Sequence, residues 1–558
     1  MTTDVSDQLG AARATVDSAE ELLGASAAAI AAWSSEDGKI DVGLMDRHQI
    51  VCYDLAYLAS AVDGAKRMLD TYAGGGEVEA DLTVGYTADV IAELRARFDG
   101  RAEAFGVDAG LYDKTVGSES VDAFVAAGRS PEFIEKVYAE TAVEPVPGGP
   151  AHLSEEFEML AETFKAFAGD KIAPQAEEIH RSNGDIPEDI ISGVAELGLF
   201  GLTIPEAYGG FASEDLDHTM AMVVATEMLT AASLGAGGGL ITRPEILSKA
   251  LVGFGTEVQK QDWLPKIASG EKMVGVAVTE PDFGSDVASL KVRARPTGDG
   301  SGYIVNGVKT WCTFAGRADY LMLLARTGEP EDAHRGLSLF VVPKTPAPGH
   351  EFVETQSGAH GDAQMEGRAI DTIGYRGLHS FEVSFDNWFV PAENLVGEAD
   401  GLNKGFYMQM NAFSNGRVQT AGRAVGIMQA AYEQAVAYAK ERKVFGHAVA
   451  DYQLTKAKLA RIAWTIQACR QYTYQVAELL SAGEGQKEAS MVKMYACRAS
   501  EWVTREAMQI HGGMGYAEEY DVSRYFVDAR VLTIFEGAEE TLALRVIVRR
   551  LLEDALAG

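Results

Sequence analysis

Tyr303-Ile-Val-Asn-Gly-Val-Lys-Thr-Trp311 is the stretch that divides the chain. Apolar and β-branched residues flank Asn306-Gly307, and both of these residues tolerate positive φ, so the run predicts a β-hairpin. Similar runs lie on either side. Gly275-Val-Ala-Val-Thr-Glu-Pro281 is short, apolar and β-prone, and Leu337 to Val342 (LSLFVV) reads as a buried strand. In Phe381-Glu-Val-Ser-Phe385 apolar and polar residues alternate, as in a strand with one wet face. Residues 274–395 therefore read as a β domain inside an otherwise helical chain.

Upstream, Leu153, Phe157, Leu160, Phe164 and Phe167 recur at steps of three and four, the apolar face of an amphipathic helix, and more helices are expected to about residue 272. Downstream of Pro391 the helical period resumes. Segments 422–442, 452–480 and 486–510 predict antiparallel helices of a bundle. Residues 1–145 read as an extra helical domain with Gly-rich breaks. Asp46 to Leu69 places Ile50, Leu55, Leu58 and Val62 on one face, and Tyr72-Ala-Gly-Gly-Gly76 ends that helix. Pro145-Val-Pro-Gly-Gly-Pro150 is linker chemistry, because prolines and glycines cannot continue a helix. Gln49–Ala59 lines up with Gln453–Ala463 through the Gln, a Leu-Ala pair and a later Ala. Either two Ala-rich helices merely look alike, or the N-terminal domain is a degenerate copy of part of the bundle.

A chain of 558 residues has room for three or four domains. Its formal net charge of −34 repels phosphate backbones and anionic membrane surfaces, so nucleic-acid binding is disfavoured and any anionic substrate needs a local cation. The four cysteines, Cys52, Cys312, Cys469 and Cys497, form no CxxC pair and suggest reduced thiols in a cytoplasm, without disulfides or a metal site. The N-terminal stretch MTTDVSDQLG lacks an apolar core and does not read as a signal peptide. Leu229 to Ile241 is too short to cross a bilayer. The sequence has no GxGxxG, Walker A, HExxH or GxSxG signature, so a bound dinucleotide would not be held in the Rossmann manner.

Three stretches carry chemistry. Val278-Thr-Glu-Pro-Asp-Phe-Gly-Ser-Asp286 runs from a strand into a turn and presents Thr279 and Ser285. Such a turn offers hydroxyls and backbone N–H groups to a planar heterocycle or a phosphate, although alone it is also an ordinary polar loop. In Lys309-Thr-Trp-Cys-Thr-Phe-Ala-Gly316, Trp311 and Thr313 lie two apart and are expected to share a strand face, with the indole stacked on an aromatic cofactor. The competing reading is a core tryptophan. In Ile534-Phe-Glu-Gly-Ala-Glu-Glu540, Glu536 follows the apolar run Val531-Leu-Thr-Ile534. Apolar surroundings favour the neutral form of a carboxyl group, which suits a general base, and Gly537 leaves room for a ligand. The competing reading is an acidic helix N-terminus formed with Glu539 and Glu540.

Together these stretches resemble the acyl-CoA dehydrogenase family. Tyr208-Gly-Gly210 after Ile204-Pro-Glu206 is similar to a motif of the family's N-terminal domain. VTEPDFGSD (278–286) is similar to VTEPxxGSD, NGVKTWCT (306–313) to NGxKxWIT, and Arg442-Lys-Val-Phe-Gly446 to RxxFG. Gln509-Ile-His-Gly-Gly513 is similar to QxxGG and Phe535-Glu-Gly537 to YEGT, in the same order, from about residue 155 to 558. The resemblance implies a helical domain (151–273), a β-barrel domain (274–395) and a four-helix bundle domain (400–558), plus the extra N-terminal domain. It implies FAD, and a homodimer or homotetramer in which the adenine end of FAD reaches a neighbouring subunit. Val278, Thr279 and Ser285 would line the flavin, with Trp311 and Thr313 at its ring. Arg442, Phe445, Gln453, Gln509, Gly512 and Gly513 would hold the pyrophosphate and adenosine of the partner's FAD, and Lys440, Arg442 and Lys443 supply a basic cluster there. Ser285, Ser414, Arg417 and Gly537 would meet the acyl-CoA. Glu536 would take the α-proton while hydride passes to flavin N5, and electron-transferring flavoprotein would accept the electrons.

Phe535 and Ala538 depart from the Tyr and Thr of YEGT, Val276 replaces a larger residue, and Gly416 is small beside Arg417, all of which can reshape the acyl pocket. The extension and motifs together look like those of a member acting on (2S)-methylsuccinyl-CoA, a branched substrate of the ethylmalonyl-CoA pathway whose product is mesaconyl-CoA. Its distal carboxylate needs a cation. Arg243, after the Gly-rich segment that walls the acyl pocket in relatives, is the candidate; otherwise it is a surface or capping residue. Rival readings are a dehydrogenase of isobutyryl- or 2-methylbutyryl-CoA and an acyl-CoA oxidase. A nitroalkane-oxidase-like relative would carry Asp in place of Glu536. A DNA-binding relative is disfavoured by the net charge and the absence of a basic C-terminal tract.

Overall fold

The computed structural model describes residues 5–143, 147–213 and 216–557. The first four residues of the N-terminal stretch and Pro145-Val146 of the linker lie outside this range. Helices before the sheet include α1 (Val5–Trp33), α2 (Gln49–Arg67), α3 (Glu77–Phe98), α4 (Pro131–Thr141), α5 (Glu155–Phe167), α6 (His218–Ala232), α7 (Thr242–Phe254) and α8 (Glu257–Ala268). After the sheet come α9 (Gly405–Glu441), α10 (Gln453–Ser481), α11 (Gln486–His511), α12 (Asp521–Ala529) and α13 (Val548–Ala557). Residue contacts divide the chain into two units: residues 1–156 with 420–558, and residues 157–419.

The 157–419 unit is built on one curled eight-stranded sheet, a half-barrel. Its strands are β1 (Val274–Ala277), β2 (Arg293–Pro296), β3 (Gly302–Thr313), β4 (Tyr320–Arg326), β5 (Leu337–Pro343), β6 (Glu351–Gly358), β7 (Gly361–Ile370) and β8 (Ser380–Pro391). They lie in the order β1-β4-β2-β3-β8-β7-β6, with β5 also paired to β4. Side chains of β4 alternate between two cores, as the pleat requires. Leu321 and Leu323 join Val305, Phe340, Phe381, Val383 and Trp388. Met322 and Leu324 join Leu247, Leu251, Trp263 and Leu264 from α7 and α8. Helices thus cover one face of the sheet, while the other face closes on its own strands.

The expected hairpin at Asn306-Gly307 is not formed; both residues lie inside the single strand β3. Here the register against β8 slips, with Gly307 opposite Phe385 but Val305 opposite Trp388. Gly307 takes φ of 130°, and Asn306 Oδ1 accepts the Asn387 N–H at 2.9 Å. Because β8 pairs along the whole of β3, the conformational freedom of Asn-Gly is used for a bulge, and no turn is needed.

In the other unit, α1, α2 and α3 pack against α10, α11 and α13. Leu55, Leu58 and Val62 of α2 are buried as expected, but Ile50 is 75% exposed because the apolar face of α2 starts at Val51. Helices α3 and α10 approach closely: a Cβ on Gly85 would lie 2.4 Å from the Trp464 ring. The linker is strapped to the bundle. Gln467 Nε2 donates to the carbonyls of Gly148 (2.8 Å) and Gly149 (2.9 Å), and Gln471 Nε2 donates to that of Ala151 (2.8 Å). The aligned glutamines Gln49 and Gln453 each begin a helix, α2 and α10. All four cysteines are buried and free.

Candidate active site

Glu536 sits in a turn between Thr533 and the short helix Glu539–Leu542, in the left-handed region with φ of 56°. A side chain there costs free energy, so the surrounding structure must impose it. Three contacts do so. Lys493 of α11, fully buried, donates to the Gly537 carbonyl at 2.6 Å. Gly537 takes φ of 101°, and a Cβ on it would press on Leu542 at 2.8 Å. The Arg423 guanidinium lies 4.9 Å from the centre of the Phe535 ring. The Glu536 carboxylate is 9% exposed and has Arg423 Nη2 3.7 Å from Oε1. Glu539 begins the following helix and pairs with Arg498 at 2.8 Å, so the helix-terminus reading belongs to Glu539 and Glu540. The space expected at Gly537 for a ligand has an internal explanation in its φ and its packing on Leu542.

In the other unit, the loop after β1 is held from below. Lys309 has no exposure, donates to the Val278 carbonyl at 2.7 Å and pairs with Glu280 at 2.9 Å. Glu280 also accepts the N–H groups of Lys291 (2.7 Å) and Val292 (2.8 Å). Burial pushes the Lys309 ammonium down to about 8, and Glu280 opposes that fall. Thr310 N–H closes the arrangement on the Thr279 carbonyl at 2.8 Å. Trp311 follows with φ of 56° and its side chain 54% exposed, so it is not a core tryptophan. Thr313 is buried, with its hydroxyl 3.0 Å from that of Ser380. The expected shared face for Trp311 and Thr313 is not formed, because positive φ at Trp311 and a register slip between Phe381 and Val383 break the two-residue alternation. Ser285 is exposed on the loop.

Arg442, Phe445, Gln453, Gln509, Gly512 and Gly513 share one end of the bundle, where Tyr438 of α9 stacks on His511 of α11 at 4.2 Å. Phe445 is 96% exposed with φ of 51°, and nothing lies within 4 Å of a Cβ on Gly512 or Gly513. Lys440 caps the Ala142 carbonyl at 2.5 Å, which leaves Arg442 and Lys443 without ion pairs among the described residues. An aromatic side chain held exposed at positive φ, an open glycine pair and exposed cations at one end of the bundle have the chemistry to meet a flat ring system and a pyrophosphate. FAD has both. Ser414 and Arg417 lie on α9, where the Ser414 hydroxyl donates to Met410 O at 3.4 Å.

Arg243 is neither a surface nor a simple capping residue. It is 5% exposed and lies in the first turn of α7. Its Nη1 donates to the Gly239 carbonyl at 2.7 Å and to the Tyr375 hydroxyl at 2.5 Å. It forms no ion pair among the described residues. Tyr375, Arg423, Lys493 and the Lys309–Glu280 pair were missed as site residues. Arg423 and Lys493 had a signal, each being a cation inside an apolar helical stretch (TAGRAVG, SMVKMYA). Tyr375, more than 130 residues from Arg243 in sequence, had none.

The acyl-CoA dehydrogenase N-terminal, middle and C-terminal domains match residues 154–271, 275–388 and 403–552. The (2S)-methylsuccinyl-CoA dehydrogenase of Cereibacter sphaeroides is 37% identical over 93% of this chain and 93% of its own. The caffeyl-CoA reductase–Etf complex subunit CarC of Acetobacterium woodii is 31% identical over 70% of this chain and 96% of its own. Among solved structures, butyryl-CoA dehydrogenase of Megasphaera elsdenii matches with a TM-score of 0.64 at 29% identity, covering 71% of this chain and 97% of that one. The chain belongs to the acyl-CoA dehydrogenase family of FAD-dependent oxidoreductases. No helix among the described residues is long and apolar enough to cross a membrane.

Proposed function

We propose that this acyl-CoA dehydrogenase oxidises (2S)-methylsuccinyl-CoA to mesaconyl-CoA, with Glu536 as the base. Arg243 carries the substrate assignment. A cation buried in the first turn of a helix sits at the positive end of the dipole. Without a counter-charge it costs several kcal/mol, which an anionic ligand group would offset. The distal carboxylate of methylsuccinyl-CoA is such a group, and the Tyr375 hydroxyl already orients Nη1. The Cereibacter sphaeroides relative, which matches across the N-terminal region as well, supports the same substrate.

In this reading Glu536 removes the α-proton, and its backbone is fixed through Lys493 and Arg423. FAD, when bound, supplies the acceptor for the β-hydride. Lys309 and Glu280 shape the loop that carries Val278, Thr279 and Ser285, and Trp311 offers its exposed indole to the ring. Arg442 offers charge to the pyrophosphate of a neighbouring copy's cofactor. Electron-transferring flavoprotein is the proposed electron acceptor, in keeping with the Etf-complex relative.

The test is bleaching of the bound flavin by a panel of thioesters. Wild type should be reduced fastest by (2S)-methylsuccinyl-CoA. Arg243→Met should lose roughly 30- to 5,000-fold in kcat/KM for that substrate, the range for truncating one partner of a buried charge pair, and change little toward isobutyryl-CoA. Equal losses for both substrates, or faster wild-type turnover of isobutyryl-CoA, would refute the assignment.

A further inference from the structure

Arg423 is one of the largest side chains with no exposure at all. Its polar surroundings are sparse. Nη2 donates to the Thr420 hydroxyl at 2.6 Å and lies 3.7 Å from Glu536 Oε1, while Nε and Nη1 have no hydrogen-bond acceptor among the described residues. One face of the guanidinium lies against the Phe535 ring. Glu536 is the one carboxylate paired with Arg423 among the described residues, and Arg423 is the one cation paired with Glu536. A surface pair at 3.7 Å would count for little, but in a dry environment the same pair interacts strongly, and Arg423 has no other carboxylate partner among the described residues. The neighbouring charges are otherwise engaged: Lys493 is on the Gly537 carbonyl and Arg498 on Glu539.

We propose that Arg423 is the positioning residue of the base. It supplies the buried counter-charge that keeps Glu536 an anion before the reaction. Its planar group also fixes the carboxylate by clamping Phe535 on one side and Thr420 on the other. Arg423 does not touch the substrate in this role; it acts through Glu536. The proposal rests on Glu536 being the base, and the two statements are separable.

The experiment isolates proton removal. Holoenzyme is reduced chemically so that hydride cannot leave the substrate, and exchange of the α-proton of (2S)-methylsuccinyl-CoA with D2O is followed by NMR. Glu536→Gln should abolish exchange; if it exchanges normally, the base itself is misassigned. With that control in place, Arg423→Met should slow exchange roughly 10- to 100-fold, part of the span that a general base supplies. Arg423→Lys should recover most of the loss, with wild-type flavin content and unchanged substrate affinity in both variants. Wild-type exchange in Arg423→Met, or equal losses in the Met and Lys variants, overturns the proposal. If the Met variant does not hold flavin, Thr420→Val decides. It removes the hydroxyl that anchors Nη2 and should slow exchange a fewfold, and an unchanged rate there overturns the proposal too.

Discussion

Replacing Lys309 by Met removes one ammonium and leaves two groups behind it unserved. The Val278 carbonyl loses its donor at 2.7 Å, and the Glu280 carboxylate, 5% exposed, loses its cation at 2.9 Å. Removing one partner of a buried pair costs about 3–5 kcal/mol. Glu280 keeps the N–H groups of Lys291 and Val292, which moves the estimate to the lower end, and the orphaned carbonyl adds about 1 kcal/mol. The expected loss is about 3–4 kcal/mol, or a fall of roughly 6–16 °C in the melting of a unit of this size. The loop also carries Val278 and Thr279, so the variant should purify with less flavin per chain. The assay is thermal unfolding beside the ratio of flavin to protein absorbance. Glu280→Gln added to Lys309→Met should restore much of the stability, because the second change removes the unpaired charge. A Lys309→Met variant that melts within about 2 °C of wild type with full flavin would show that the pair does not hold this loop.

Two further predictions concern the N-terminal helices and the bundle. Burial pushes the Glu140 carboxyl up to about 7, and nearby Asp81 adds to the rise against the pull of Lys136. The folded value lies above the ordinary 4.5, so its contribution is present below that pH and is lost as the pH rises through 7. Glu140→Gln should therefore flatten the fall in melting temperature between pH 5 and 8; an unchanged slope would locate that fall elsewhere. Gly85→Ala puts a methyl 2.4 Å from the Trp464 ring, which is buried and tied to Asp89 at 3.2 Å. Overpacking of this kind should cost about 1–3 kcal/mol in urea unfolding, and wild-type stability would mean that α3 and α10 can separate freely.

Periodicity placed the long helices well, because residues such as Leu55, Leu58 and Val62 obey a local rule that burial then satisfies. It also placed β1, β5 and β8. It failed where the backbone leaves its regular region. Asn306-Gly307 has turn chemistry, but whether it turns or bulges depends on β8, some 80 residues away. Trp311 and Glu536 are bulky residues at φ of 56°, and nothing in their side chains announces it. Motif resemblance singled out both residues as candidates without revealing the strain. The cations behind the motifs were visible only as oddities, since a Lys or Arg inside an apolar stretch has no meaning until its partner is known.

That pattern answers the question raised by the charge of the chain. A protein of net charge −34 that takes an anionic thioester was expected to offer it a local cation. Arg442 and Lys443, at the end of the bundle, are exposed cations without ion pairs among the described residues. Other cations are buried, among them Arg243, Lys309, Arg423 and Lys493, all 5% exposed or less. A surface charge is screened within about 10 Å at ordinary ionic strength, whereas a buried one keeps most of its field. A buried cation does little to draw an anion from solution, but in the role proposed for Arg243 it would discriminate strongly once the anion has arrived. Selection among acyl-CoA substrates should therefore depend weakly on salt, even though the surface as a whole repels them.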